Sequence, residues 1–303
     1  MMRVGNAPVS WGVFEVAELS ADISYARVMD EIAAAGYEGT ELGPWGFYPT
    51  DPAVLRTELD RRGLALASAF VPVDLTDPEQ YAPAEETVLQ VAGLLRELGT
   101  REVILADPMR PERLRRAGRA GPADEMPAAA WRAVIEGLNR IGARLANQGM
   151  RAVVHHHVAT FLETPAEIER VLAGTDASLV GLCLDTGHAV FGGGDPVDLL
   201  DRWGERIWYV HLKDVSPRVL ERVRTEGIDY ESAVRAGVFC PLGDGCVDFA
   251  AVFARLRRLG YAGWLIVEQD VIRAEGEAVP PIETARRSLA FVRNLLGGGD
   301  GHG

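Results

Sequence analysis

The sequence predicts a single-domain α/β fold, the (β/α)8 TIM barrel, and three observations carry that expectation. Eight short apolar runs recur along the 303 residues. They are near-continuous rather than alternating, which suits parallel strands covered on both faces. Longer stretches of helical period lie between them, so strand and helix alternate as βα units. The composition, 48% hydrophobic, supports one large core, and nothing along the chain marks a domain linker. A doubly wound sheet is the alternative, but no GxGxxG follows the first strand to support it.

The expected strands, in order, are residues 3–9 (RVGNAPV), 37–43 (YEGTELG), 64–72 (LALASAFVP), 102–108 (EVILADP), 151–157 (RAVVHHH), 179–185 (LVGLCLD), 207–214 (IWYVHLKD) and 263–270 (GWLIVEQD). One helix begins near Ala21 and stops at Gly36. Others span 51–62 with Gly63 beyond the end, 83–98 before Gly99, and 127–147 before Gly149. Thr164-Pro165-Ala166-Glu167 reads as a capping box with proline at the first helical position, so a helix starts there. Further helices are expected near 196–203, 248–259 and 281–296. Two connections, 109–126 and 215–247, exceed ordinary length and are expected to shape the mouth of an active site. The barrel is expected over 1–297, with 298–303 a disordered tail whose His302 takes no part in any site.

The formal charge, 31 basic against 44 acidic residues, is −13. Such an acidic chain advertises no affinity for nucleic acid or anionic membrane. No apolar stretch is long enough to span a bilayer, and the N-terminus shows no secretory pattern. Cys183, Cys240 and Cys246 form neither a disulfide framework nor a zinc clip. A reducing cytoplasm is the expected setting, and the composition leaves a homo-oligomer open.

Half of the six histidines stand in one run, His155, His156 and His157, at the end of the fifth strand. The sixth strand ends in Asp185, the seventh in His211, the eighth in Glu268. In a barrel these ends share one rim, where the chemistry sits. Burying such groups without partners costs several kcal/mol each, and a divalent metal is the simplest common partner. Side chains alternate along a strand, so His155 and His157 share an orientation that His156 lacks. Mixed imidazole and carboxylate donors suit Mn2+, Co2+, Fe2+ or Zn2+ better than Ca2+.

Each residue also has a plainer reading. A lone strand-end histidine is more often structural, Asp185 caps the next turn, and Glu268 pairs with an arginine. Glu41 meets substrate or metal, or caps a helix. Lys213 shares the inward orientation of His211 and reaches the site, or pairs with Asp214. His188, one turn past Asp185, supports a ligand or moves a proton. Trp11 and Phe70 wall a pocket or belong to the core. FGGGD (191–195) lacks the ending of a phosphate loop and reads as a mobile loop. Gly243-Asp244-Gly245 reads as a tight turn whose loop covers the pocket.

NAPVSWGVFE, GTELGPWGFYP, VVHHHVATFLETPAEI, LCLDTGHAVFGGGDP, RIWYVHLKDV, AVRAGVFCPLGDGCVDF and GYAGWLIVEQD together resemble the inosose (2-keto-myo-inositol) dehydratase family. That family is a branch of the xylose isomerase-like TIM-barrel superfamily of sugar isomerases, epimerases and dehydratases. The resemblance runs over nearly the whole chain, in order. It implies a divalent metal, Mn2+ or Co2+ first, with Zn2+, Fe2+ and Mg2+ behind them, held by Asp185, His211 and Glu268. The superfamily's strand-five glutamate is His155 here, as the fourth ligand. The end of strand eight departs from the family's VEAEQDP, reading VEQDV with one acidic group fewer. The implied activity is metal-dependent dehydration of an inosose-like keto-polyol, a lyase reaction of inositol catabolism. A ketose isomerase or epimerase on the same scaffold is the alternative. The catalytic residues expected are His157, His188 and Lys213. Trp11, Glu41, Phe70 and His156 are expected to bind a polyol or sugar substrate.

Overall fold

Parallel hydrogen bonding joins the eight expected runs in chain order into a closed barrel. The computed structural model describes residues 1–272 and 279–297; the expected tail, 298–303, lies outside the described residues. The barrel strands are Arg3–Asn6, Gly39–Thr40, the split third strand Ala65–Leu66 with Phe70–Pro72, Glu102–Ala106, Arg151–His155, Val180–Asp185, Ile207–Leu212 and Trp264–Val267. The two halves of the third strand are the two edges of the sheet, so residues 67–69 complete the ring. Ala67 N–H donates back to Thr40 O at 2.8 Å, while Ile104 N–H donates forward to Ala69 O at 3.0 Å.

Alternation along the strands sorts their side chains into two sets. Val154, Leu182, Leu184, Val210, Leu212, Leu265 and Val267 face outward into the large core shared with the helices. Ala67, Ile104, Val153, Cys183, Tyr209 and Ile266 fill the barrel interior. Two residues further along four of these strands stand His155, Asp185, His211 and Glu268. The interior packing layer therefore carries a polar layer directly above it.

The helices follow their sequence signals. Gly36 closes Tyr25–Ala35 in the left-handed conformation, at φ 97°. Asp51 caps Pro52–Asp60, and Thr164 with Glu167 forms the expected capping box on Pro165–Gly174. The first helix starts four residues later than near Ala21, because Ser24 caps it by accepting from Arg27 N–H. Six of the strands end two or three residues early, where the chain leaves the ladder to enter the mouth, while the third and sixth end as expected at Pro72 and Asp185.

The long connections are more ordered than their Gly/Pro content implied. Residues 109–126 contain the short helix Pro111–Leu114. Residues 215–247 contain Pro217–Glu226 and Tyr230–Arg235, and Phe239–Cys240 pairs antiparallel with Asp214–Val215. Val219, Val223, Tyr230, Val234, Phe239, Phe191 and Ile272 build a second, smaller core there. FGGGD begins at the end of an unexpected helix, Thr186–Phe191; Gly192 is packed, since a Cβ there would lie 2.3 Å from Glu163 O, while Gly193 is exposed. Among the described residues no helix is long and apolar enough to cross a membrane.

Gly39 faces the barrel interior, where a Cβ would meet the Trp264 ring at 2.5 Å and Ala65 O at 2.6 Å. Gly39→Ala is expected to destabilise the fold by about 1–3 kcal/mol, read as a lower midpoint in urea unfolding. An unchanged midpoint would mean that the barrel wall yields at this position.

Candidate active site

Four strand ends bring four donor atoms to one place. His155 Nε2 lies 3.5 Å from Asp185 Oδ2, which lies 3.7 Å from His211 Nδ1, which lies 3.2 Å from Glu268 Oε2. Asp185 Oδ2, His211 Nδ1 and both ring nitrogens of His155 are buried with no hydrogen-bond partner. Leaving such atoms bare costs about 1–3 kcal/mol each, and more for a charged one. Ligands about 2.1 Å from one ion stand roughly 3.0–3.4 Å apart. The bare lone pairs suit a divalent cation with nitrogen and oxygen ligands, and the 3.2 Å spacing of His211 and Glu268 falls within that range while the 3.5 and 3.7 Å spacings to Asp185 lie slightly above it.

The surroundings fix these donors. Asp185 divides its work: Oδ1 caps Thr186–Phe191 by accepting from His188 N–H at 2.8 Å, leaving Oδ2 to the centre. His156, on the opposite face of its strand, accepts from Asp185 N–H at 3.1 Å. Glu41 Oε1 lies 3.0 Å from His211 Nε2 and orients the ring from its far side. Lys213 Nζ lies 2.8 Å from Asp270, 3.2 Å from Glu268 and 3.4 Å from Asp185. The lysine stem passes over Gly187, where a Cβ would come within 2.7 Å of Lys213 Cγ. Tyr230 OH donates to Asp270 Oδ2 at 2.9 Å.

Three buried carboxylates, Asp185, Glu268 and Asp270, thus surround one ammonium, while a fourth, Glu41, pairs with His211. Burial would raise Asp185, but Lys213 and His188 hold it well below the usual carboxylate range. Against the same burial, His211 and Lys213 draw Glu268 down to about 2. For Asp270 burial prevails over Lys213 and the carboxyl is raised. Burial pushes His156 and His157 down to about 3, so both are neutral imidazoles at neutral pH.

A cavity of 310 Å³ opens above this layer, within the size of small-molecule sites. Its floor carries His155, His157, His211, Lys213, Glu268 and Asp270. Phe70, Thr160 and Tyr230 stand at its sides, and Val13, Phe14, Val16, Leu19, Met109 and Ile272 form an apolar hood.

Most of the expected residues meet here. His155, His157, His211, Lys213, Glu268, Glu41 and Phe70 line the cavity, while Asp185 and His188 lie directly beneath it. Trp11 and His156 do not reach it. Trp11 is fully buried in the main core, its indole N–H donating to Glu31 at 2.7 Å, because the turn at Pro8–Trp11 aims Pro8 and Val9 at the cavity instead. His156 points outward by strand alternation. Lys213 does not pair with Asp214, whose carboxylate accepts from Gly243, Gly245 and Val247 N–H groups. The Gly243-Asp244-Gly245 turn folds around Asp214 and does not line the cavity. Two site residues escaped the sequence reading. Asp270 stands two residues beyond Glu268, and that spacing was a usable signal. Tyr230 arrives from a long connection that carried none.

A closed parallel barrel with buried polar groups at its C-terminal mouth defines a class of barrel proteins, and the comparisons place the chain in that class by its fold. Residues 29–295 match the family model of the xylose isomerase-like TIM barrel. An inosose dehydratase of Geobacillus kaustophilus (strain HTA426) is 38% identical over 302 residues, covering 97% of this chain and 94% of the relative. One from Clostridium beijerinckii is 32% identical over 304 residues, covering 98% of both. The chain belongs to the xylose isomerase-like TIM-barrel family, within the branch of the inosose dehydratases. Among solved structures, an L-ribulose 3-epimerase superposes with a TM-score of 0.70 at 20% identity, over 98% of this chain and 95% of its own. A probable 3-DHS dehydratase from Bacillus anthracis gives 0.67 at 19%, over 97% and 99%. At these identities the two structures share the fold.

Removing the ammonium leaves its three carboxylate partners buried and unneutralised. Lys213→Met is therefore expected to destabilise the chain by about 3–5 kcal/mol, seen as a lower melting temperature in EDTA by circular dichroism. An unchanged melting temperature would show that these carboxylates need no internal cation.

Proposed function

We propose that the chain is a divalent-metal-dependent hydro-lyase that removes water from an inosose-like cyclic keto-polyol. The observation that carries the reading is the set of bare donor atoms, His155 Nε2, Asp185 Oδ2, His211 Nδ1 and Glu268 Oε2, converging beneath a cavity that His157 and Lys213 also face. The naming of its relatives as inosose dehydratases supports the substrate class. Mn2+ or Co2+ suits this mixed donor set. Such an ion, when bound, supplies Lewis acidity toward a ketone oxygen and the enolate charge that follows.

The chain's own residues do the rest. His157 Nδ1 lies against its neighbour's carbonyl, Val158 O, which makes Nδ1 the protonated nitrogen and leaves the lone pair on Nε2. Nε2 takes the proton from the carbon beside the ketone, and that C–H pair becomes the enolate. The enolate expels the β-hydroxyl, which takes a proton from the Lys213 ammonium and departs as water. Asp270 and Tyr230 hold Lys213 in place for that transfer. His188 does not line the cavity. Its ring lies against that of His157, tilted by 39° at 3.8 Å between centroids, and is 3.0 Å from Lys213 Nζ, so it supports both proton carriers.

A neutral substrate suits the cavity's charge. Lys213, the single lysine or arginine lining it among the described residues, is already held by carboxylates. Arg110 near the rim is clamped by Asp74 at 2.8 Å and Asp107 at 2.7 Å. A phosphate or carboxylate on the substrate would meet acidic groups with no free partner.

With 2-keto-myo-inositol and Mn2+, the expected result is growth of ultraviolet absorbance from the enol of the dione product. EDTA should abolish it and Mn2+ or Co2+ restore it. Asp185→Asn should lower kcat/KM on the order of 10³-fold with unchanged circular dichroism. Solvent-deuterium exchange into the substrate without absorbance growth would instead assign an isomerase or epimerase, and activity indifferent to chelation would end the metal reading.

A further inference from the structure

Ala159 is the non-glycine residue with a left-handed backbone among those described, at φ 72°. For an L-residue with a Cβ this conformation costs roughly 1–2 kcal/mol, and such strain persists only where its surroundings impose it. Ala159 is fully buried, two residues beyond His157 and one before Thr160, both of which line the cavity. Its backbone is held at both ends. Its N–H donates to Glu163 Oε2 at 2.9 Å, and its carbonyl accepts from Arg110 N–H at 3.0 Å.

Glu163 is 1% exposed and does not line the cavity. Its other oxygen, Oε1, accepts from Gly118 N–H at 2.8 Å. The fully buried Arg113 lies 3.7 Å from Glu163 and forms a two-pronged pair with Glu167, 2.9 Å on each side. Glu167 in turn accepts from Glu163 N–H and Thr164 N–H. One carboxylate thus clasps the strained turn of 157–163 with one oxygen and the long connection of 109–126 with the other. Within the turn, His157 N–H donates to Leu162 O at 2.9 Å, and Thr160 Oγ1 donates to His157 O at 2.7 Å. The height of His157 above the donor layer therefore follows from how the turn is pinned.

We infer that Glu163 is a positioning residue: by holding Ala159 left-handed it sets His157 and Thr160 over the cavity floor, with Arg113 and the 109–126 connection as its buttress. The inference rests on His157 acting in the proposed dehydration. It gives the basic connection of 109–126 a role away from the substrate. Glu163 has no reach to the cavity, so its loss acts on proton transfer rather than on substrate binding. A glutamine cannot accept from both backbone N–H groups, since its amide nitrogen would face one donor with another. Glycine at 159 adopts the turn without strain and lifts the need for the clasp.

The test compares wild type, Glu163→Gln, Ala159→Gly and the double variant, each with Mn2+ and 2-keto-myo-inositol. Glu163→Gln is expected to lower kcat on the order of 10²-fold with KM and bound Mn2+ little changed. The imidazole NMR resonances of His157, assigned through His157→Gln, should shift as well. Ala159→Gly alone should resemble wild type, and added to Glu163→Gln it should recover most of the lost kcat. If Glu163→Gln does not fold, Glu163→Asp keeps the charge beside Arg113 but falls one carbon short of Ala159, and the same loss and recovery are expected. Wild-type kcat and unmoved His157 resonances in the Glu163 variant would overturn the inference, as would a folded double variant no better than the single one. If the wild type does not turn over the keto-polyol, the dehydratase reading falls by itself, while the His157 resonances still decide whether Glu163 positions that ring.

Discussion

Four acidic side chains are buried at one end of this barrel, more than its one ammonium pairs with. Glu41, Asp185, Glu268 and Asp270 share that rim with a single ammonium, Lys213. In a low-dielectric interior each uncompensated carboxylate is costly. Lys213 bridges three of the four yet leaves Asp185 Oδ2 without a hydrogen bond, and neighbouring imidazole nitrogens bare beside it. A bound divalent cation would meet both needs at once, and would bring Lewis acidity to the place where a neutral imidazole and an ammonium already face the cavity.

The barrel makes this arrangement by simple repetition. A parallel strand covered by helices must be apolar on both faces until it ends, and alternation then decides which end residues look inward. Val153, Cys183, Tyr209 and Ile266 pack the interior, and the residues two further along become the donor layer. Small residues make the fit work: Gly187 lets the Lys213 stem pass close to its backbone, and Gly39 leaves room for Trp264. Solved structures of sugar epimerases and of a probable dehydratase share this scaffold. What distinguishes one chemistry from another must lie in the groups at the mouth rather than in the barrel.

Much of this was legible in the sequence. All eight strands stood out because burial on both faces writes a continuous apolar run, and several helices stood out through the Thr164 capping box and terminal glycines. The gathering of His155, Asp185, His211 and Glu268 on one rim was legible for the same reason, since a polar residue closing an apolar strand is conspicuous; that they hold a metal is the proposal. Less visible was anything fixed by tertiary approach. Trp11 looked like a pocket wall, but a single turn at Pro8–Trp11 rotates it into the core. Tyr230 arrives from a connection whose two helices pack on Phe191 and Phe239. The tie from Glu163 to Ala159 is a side-chain-to-backbone bond across four residues, and composition says nothing about it.

The account stands or falls on one ion per chain at the donor layer. Purified protein stripped with EDTA and titrated with Mn2+ under electron paramagnetic resonance measures that directly. One tightly bound Mn2+ per chain is required, lost in His211→Ala and in Glu268→Gln while both variants stay folded. Free Mn2+ signal from the first addition onward, with the wild-type chain fully folded, would contradict it and leave the buried carboxylates to be explained by protonation alone.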